Sequence, residues 1–72
     1  MKLLNYLLEF YHKREKRLIN IVLRIDENDI SPKAVMSPVF HDDEFLKFIP
    51  NRIKKIGELV DIKEIDEIIL AE

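Results

Sequence analysis

Residues 3–26 read LLNYLLEFYHKREKRLINIVLRID and set the architecture of the chain. Apolar residues recur in this stretch at steps of three and four, a spacing that places side chains on one face of an α-helix. The series consists of Leu4, Leu8, Tyr11, Leu18, Val22 and Ile25. A charged middle, residues 12–17, separates its two apolar ends. The sequence therefore predicts a long amphipathic N-terminal helix, about 37 Å long if it runs to residue 25.

The second half of this stretch also carries the alternation of a β-strand. Ile19, Ile21 and Leu23 are separated by single residues, and β-branched side chains are typical of strands. Because no Gly or Pro intervenes and the helical series continues through the same residues, we favour the helix. A strand over residues 18–26, in an α+β fold, is the alternative.

The C-terminal third contains six apolar residues at a regular spacing of three: Ile53, Ile56, Leu59, Ile62, Ile65 and Ile68. Each step of three slips back by about 60° around a helix, so one helix cannot hold the series on one face. The segment must be broken, and the only glycine, Gly57, lies inside it. We expect a helix over 52–57 that ends with Gly57 in the left-handed conformation. A last helix over about 62–71 would follow the capping pair Asp61 and Glu64. A terminal strand is the alternative there, because isoleucine is so frequent.

The middle of the chain is punctuated by prolines. Pro32 and Pro38 push the residues before them out of the helical region, which predicts an extended loop over 26–41. A second helix should begin at the acidic residues 42–44 and end before Pro50. The predicted fold is thus mainly α, one domain over 1–72, with the long N-terminal helix and two to three short C-terminal helices.

The composition favours a protein that works with a partner. Seventy-two residues are near the lower limit for a self-sufficient core, yet 47% of them are hydrophobic. The chain has no Cys, so disulfides cannot supply the missing stability. The absence of Cys, Gln, Thr and Trp fits a cytoplasmic protein, and also a thermophilic one. No apolar run approaches the ~18 residues of a membrane span, and we expect no membrane partner.

Charge is distributed unevenly along the chain. Residues 1–24 carry six basic and two acidic residues, whereas residues 25–50 carry two basic and six acidic ones. The basic beginning and the acidic middle could complement each other within one molecule or between copies.

No group of residues has the spacing of a metal or catalytic site. Residues 26–29 begin like a calcium-binding loop, but Ile30 and Ser37 stand where that pattern requires ligands. Residues 41–44 offer metal-capable groups that point in different directions at a helix start, and the other histidine, His12, is distant in sequence. We expect no enzymatic activity, cofactor or metal.

The N-terminal apolar cluster is the best functional candidate. Its proposed interface residues are Leu4, Leu7, Leu8 and Tyr11. An apolar surface of this kind indicates a non-enzymatic interaction or accessory subunit, either a homodimer or part of a larger complex. The alternative is a small nucleic-acid-binding protein. Its phosphate contacts would be Lys13, Arg14, Lys16 and Arg17.

Overall fold

A computed structural model describes residues 2–66. They form a three-stranded antiparallel sheet with short helices packed on one face. The strands are β1 (Leu3–His12), β2 (Arg17–Asp26) and β3 (Gly57–Ile65), in the order β2-β1-β3. Strands make up 45% of the described residues and helices 32%, so the prediction of a mainly α, helical protein is wrong.

The predicted N-terminal helix is a β-hairpin. β1 and β2 pair without interruption from His12 opposite Arg17 to Leu3 opposite Asp26. The charged middle of the stretch supplies the turn, residues 13–16, where Lys16 has a positive φ of 52°. The apolar series that predicted a helix divides between the two faces of the sheet: Leu4, Leu8 and Ile25 lie on one face, and Tyr11, Leu18 and Val22 lie on the other. Because β1 carries apolar residues on both faces, its sequence fits the spacing of a helix as well as that of a strand. The strand alternative for 18–26 corresponds to β2.

The central segment is helical rather than extended. It holds a 3₁₀ turn (Glu27–Asp29), helix α1 (Pro32–Met36) and a second 3₁₀ turn (Pro38–His41). Both prolines stand at a helix start, where a missing N–H breaks no helical hydrogen bond. The Ser31 hydroxyl caps α1 by accepting from the Ala34 N–H at 3.2 Å. The loop prediction for 26–41 therefore misread helix starts as helix breakers.

The next two helices lie where the sequence places them. Helix α2 is Asp42–Leu46, and α3 is Asn51–Lys54, directly after Pro50. Helix α2 makes no side-chain capping hydrogen bond at its start, so the acidic residues there do not cap it.

The predicted last helix is wrong over residues 62–65, which belong to β3. Its remaining residues, 67–71 with Ile68, lie outside the described part of the chain.

The predicted break at Gly57 is present, since α3 ends at Lys54 and β3 begins at Gly57. Gly57 does not have a positive φ, so the expected left-handed conformation is not adopted. Strand β3 pairs with β1 and carries a bulge opposite Glu9 and Phe10.

The core lies between the sheet and the helices. Alternate residues of β1 point into it, and all are buried: Leu4, Tyr6, Leu8 and Phe10. The ring of Tyr6 meets that of Phe45 from α2 edge-on, with centroids 4.7 Å apart. The longest helix in residues 2–66 has five residues, so none is long and apolar enough to cross a membrane.

Candidate interaction site on the open face of the sheet

The face of the sheet that points away from the helices is apolar and exposed. Its apolar residues, which we call the open face, are Leu3, Leu7 and Tyr11 of β1 and Leu18 and Val22 of β2. Leu7 lies opposite Val22, and Tyr11 lies opposite Leu18. The exposed fractions of Leu3, Leu18 and Val22 are 47%, 54% and 45%. Large apolar side chains gathered in this way make the open face a candidate binding surface.

Two rows of polar residues divide the open face. Asn5 lies beside Arg24 in the row between Leu3 and Leu7, and Arg24 Nε donates to Asn5 Oδ1 at 3.2 Å. Glu9 lies in the row between Leu7 and Tyr11, with Asn20 and Asp61 as its neighbours on the adjacent strands. The open face therefore consists of apolar rows separated by polar rows.

The structure separates the four interface residues that the sequence predicts. Leu4 and Leu8 are buried in the core. Leu7 and Tyr11 are half-buried and belong to the open face. The sequence reasoning missed Leu18 and Val22 as interface residues. The alternation of apolar residues that favours a strand could have identified them. In a β-hairpin it assigns the odd-numbered residues of β1 and the even-numbered residues of β2 to one face.

A second exposed apolar patch lies on the helical side. Met36 ends α1 and Phe40 lies in the second 3₁₀ turn, and they are 84% and 86% exposed. Val39 beside them is about half exposed. The three residues of this patch come from one short segment, whereas the residues of the open face come from two paired strands.

The predicted basic cluster occupies the hairpin turn and is larger than the sequence suggests. The Lys13 N–H donates to the Ile56 carbonyl oxygen at 2.9 Å, which brings the end of the α3 segment against the turn. A shallow pocket of about 560 Å³ opens between them. Its lining consists of His12, Lys13, Arg14, Glu15, Lys55 and Ile56. Lys55 is a basic residue that the sequence reasoning left out, since only the fold brings it to this place.

Two acidic side chains partly neutralise this basic end. Lys13 Nζ lies 3.3 Å from Glu58 Oε1, and Arg17 pairs with Glu15 at 3.2 Å. These side chains are largely exposed, so each pair contributes little to stability. The basic end therefore pairs with acids on the turn and on β3.

The acidic segment lies at the opposite end of the hairpin. The Glu27 N–H donates to the Lys2 carbonyl oxygen at 3.0 Å, which fixes residues 26–29 beside the start of β1. Ten-residue strands place this end about 30 Å from the basic turn.

The Glu44 carboxylate accepts from the Ser31 N–H at 3.0 Å and from its hydroxyl at 2.6 Å. These hydrogen bonds hold the pKa of Glu44 below its ordinary value.

The acid and histidine side chains do not converge. Within residues 2–66, no three His, Asp or Glu side chains gather in the way that a metal ion would need. A ring nitrogen of His41 is 3.0 Å from the Ser37 carbonyl oxygen, and His12 Nδ1 accepts from the Glu15 N–H. Both histidines thus contact their own turns.

What this arrangement can do is bind, through an apolar sheet face at its centre and charges of opposite sign at its two ends. The chain matches no protein-family model, no curated protein and no solved structure.

Proposed function

We propose that this chain is a non-enzymatic interaction subunit that assembles through its sheet, with a second copy of itself or within a larger complex. The observation that carries the proposal is the open face, on which Leu18 and Val22 are about half exposed. Within residues 2–66, the helices pack on the other face of the sheet. Layered domains bury both faces of a sheet or leave one of them polar, and this open face carries apolar rows between its polar rows.

The small size of the chain supports the same proposal. A single layer of short helices on three strands supplies only one core, and its largest fully buried side chains are Tyr6, Phe10, Phe45 and Leu8. Covering the open face with a second protein surface would stabilise the assembly by about 25 cal/mol for each Å² of apolar surface removed from water. The compartment that we propose for this assembly is the cytoplasm, an inference from composition.

Sedimentation equilibrium at two salt concentrations tests the proposal. We expect the purified chain to form a dimer or a larger assembly, and Leu7→Glu to weaken it by placing a charge in the centre of the open face. Phe40→Glu is the matched control, because it adds the same charge to an exposed apolar residue of the other patch. Circular dichroism checks that both variants fold. A folded wild-type monomer at all concentrations would contradict the proposal.

The second candidate function is nucleic-acid binding at the hairpin turn. The observation that favours it is the contact between Lys13 and Ile56, which adds Lys55 to the predicted phosphate contacts. Several cations on one surface can release counterions from a nucleic-acid backbone. The acidic partners Glu15 and Glu58 reduce the positive charge available for this role.

Fluorescence anisotropy with single-stranded and duplex probes at low salt tests this second candidate. We expect Arg14→Glu together with Lys55→Glu to abolish binding, and the wild-type affinity to fall as salt rises. Lys33→Glu, on α1, is the control with one reversed charge outside the cluster. Equal binding by the double variant and the wild type, or no binding by the wild type, would reject the candidate.

A further inference from the structure

The outer edge of β2 is free within residues 2–66, because β1 is the central strand and β2 lies at one side of it. β2 has ten residues, contains neither Pro nor Lys, and pairs with β1 without a bulge. Its charged residues are Arg17, Arg24 and Asp26. Natural proteins use prolines, charged side chains and bulges to prevent edge strands from pairing with other chains. The opposite edge strand, β3, carries a bulge and Lys63. β2 is therefore the edge that is open to another strand.

Two backbone hydrogen bonds show which groups of β2 point outward. The Glu27 N–H donates to the Lys2 carbonyl oxygen, and the Lys13 N–H donates to the Ile56 carbonyl oxygen on the other side of β1. Backbone groups alternate sides along a strand, so even residues of β1 bond to odd residues of β2. The even residues of β2 direct their N–H and C=O groups to the free edge. These residues are Leu18, Asn20, Val22, Arg24 and Asp26.

We propose that two copies of this chain pair along this edge, antiparallel about Val22, to form one continuous six-stranded sheet. The inference rests on the proposed function, since it names a second copy as the partner. Pairing along the edge leaves the open face uncovered, so it is a second contact beside that face. In this pairing an even-numbered residue lies opposite an even-numbered residue of the second copy, and an odd-numbered residue lies opposite an odd-numbered one. This follows because the two-fold axis is perpendicular to the sheet and keeps the same face of both copies on one side. The register centred on Val22 pairs all five outward-pointing residues.

Charge complementarity identifies a second copy as the occupant of the edge. β2 begins at the basic turn and ends at the acidic segment. Antiparallel pairing of identical strands places the beginning of one against the end of the other. In the register centred on Val22, Arg17 lies opposite Glu27 of the second copy, and this contact occurs twice. The basic turn thereby meets the acidic segment of its partner, which it cannot reach within one molecule.

Side-chain packing on the helical side favours the same register. Ile19, Ile21 and Leu23 are only half-buried, because the helices do not cover the edge of the sheet fully. Pairing about Val22 places Ile21 opposite Leu23 of the second copy and Ile19 opposite its Ile25. Each of these apolar residues then gains an apolar neighbour, as cross-strand pairs in stable sheets do.

Cysteine cross-linking tests the register, because the chain has no Cys of its own. In the proposed dimer the two Val22 positions face each other with Cα atoms about 5.5 Å apart, within disulfide range. The two Asn20 positions are four residues apart along the strands, about 13 Å, which is too far. We expect Val22→Cys to oxidise to a covalent dimer and Asn20→Cys to remain uncross-linked.

Proline substitution tests the edge itself. Val22→Pro removes an N–H that no described residue uses, so the monomer should fold while the dimer dissociation constant rises by at least about 30-fold. Ile21→Pro is the contrasting variant, since it removes an N–H that bonds to β1, and it should lose the native circular dichroism spectrum. Sedimentation equilibrium measures the association of each variant that folds.

The outcomes separate this inference from the proposed function. A wild-type chain that stays monomeric overturns both. Assembly that is lost in Leu7→Glu but survives Val22→Pro, with no cross-linking of Val22→Cys, overturns the edge pairing and leaves the proposed function standing. Equal cross-linking of Val22→Cys and Asn20→Cys overturns the register. Selective cross-linking of Val22→Cys together with a folded monomeric Val22→Pro supports the inference.

Discussion

Gly57 lies directly against the backbone of Tyr11, so closely that a Cβ at position 57 would be 1.7 Å from the Tyr11 carbonyl oxygen. The same Cβ would approach Phe10 Cε1 to 3.0 Å. Since Gly57 does not have a positive φ, its role is close approach rather than an unusual backbone conformation. This contact joins the start of β3 to the end of the central strand.

Gly57→Ala should therefore destabilise the fold by about 3 kcal/mol, because a backbone carbonyl cannot move aside as a side chain can. Urea denaturation followed by circular dichroism measures the change. Val60→Ala, at an exposed position of the same strand, should change the free energy of unfolding by less than about 0.5 kcal/mol. A Gly57→Ala variant as stable as wild type would show that β3 and β1 are not this close.

The buried hydroxyl of Tyr6 leads to a prediction of increased stability. This hydroxyl has no hydrogen-bond partner among the described residues. Its burial, and to a smaller extent the negative charge of nearby Glu64, raise the pKa of Tyr6. We expect Tyr6→Phe to raise the free energy of unfolding by about 1 kcal/mol, since it removes an unsatisfied polar atom and keeps the ring against Phe45. Tyr11→Phe on the open face should change it little. A Tyr6→Phe variant less stable than wild type would show that the hydroxyl has a partner.

Neighbouring leucines on opposite faces of β1 should respond differently to truncation. Leu8 is fully buried, so Leu8→Ala should cost about 3 kcal/mol through lost contacts and a cavity. Leu7 is half-buried on the open face, and Leu7→Ala should cost under about 1.5 kcal/mol in the monomer. Thermal and urea unfolding below the association concentration measure both. Equal losses would mean that β1 does not have this alternation of faces.

Acid should destabilise the chain partly through Glu44. Hydrogen bonds from Ser31 lower the pKa of Glu44 below its ordinary value. A lowered folded-state pKa contributes stability above about pH 4.5, and this contribution is lost as pH falls through the folded value. We expect Glu44→Gln to lose stability at neutral pH and to show a smaller fall in acid than wild type. Urea denaturation from pH 7 to pH 3 measures this dependence.

Asp43→Asn is the matched control for Glu44→Gln, because it removes one charge from the same helix and leaves the Ser31 contact in place. It should keep the acid dependence of wild type. If both variants flatten the dependence equally, the effect comes from the net charge of the helix rather than from Ser31.

The sequence alone was sufficient to place the break at Gly57, the helices on either side of Pro50 and the charge distribution. It did not place the hairpin turn at residues 13–16 or the short helices within 26–41. The short helices before and after Pro50 were predictable, because proline constrains the local backbone directly. The break at Gly57 followed from a spacing of three that no single helix can hold on one face. These features depend on residues close together in sequence.

The choice between helix and hairpin for residues 3–26 was decided only by tertiary structure. Apolar residues on both faces of β1 satisfy two periodicities at once, and pairing with β2 and with the distant β3 selects the strand. For the same reason, the sequence could not assign Leu8 to the core and Leu7 to the open face, or bring Lys55 to the basic turn. Local chemistry determined the breaks at Pro50 and Gly57, whereas long-range pairing determined the hairpin and which side of each strand is buried.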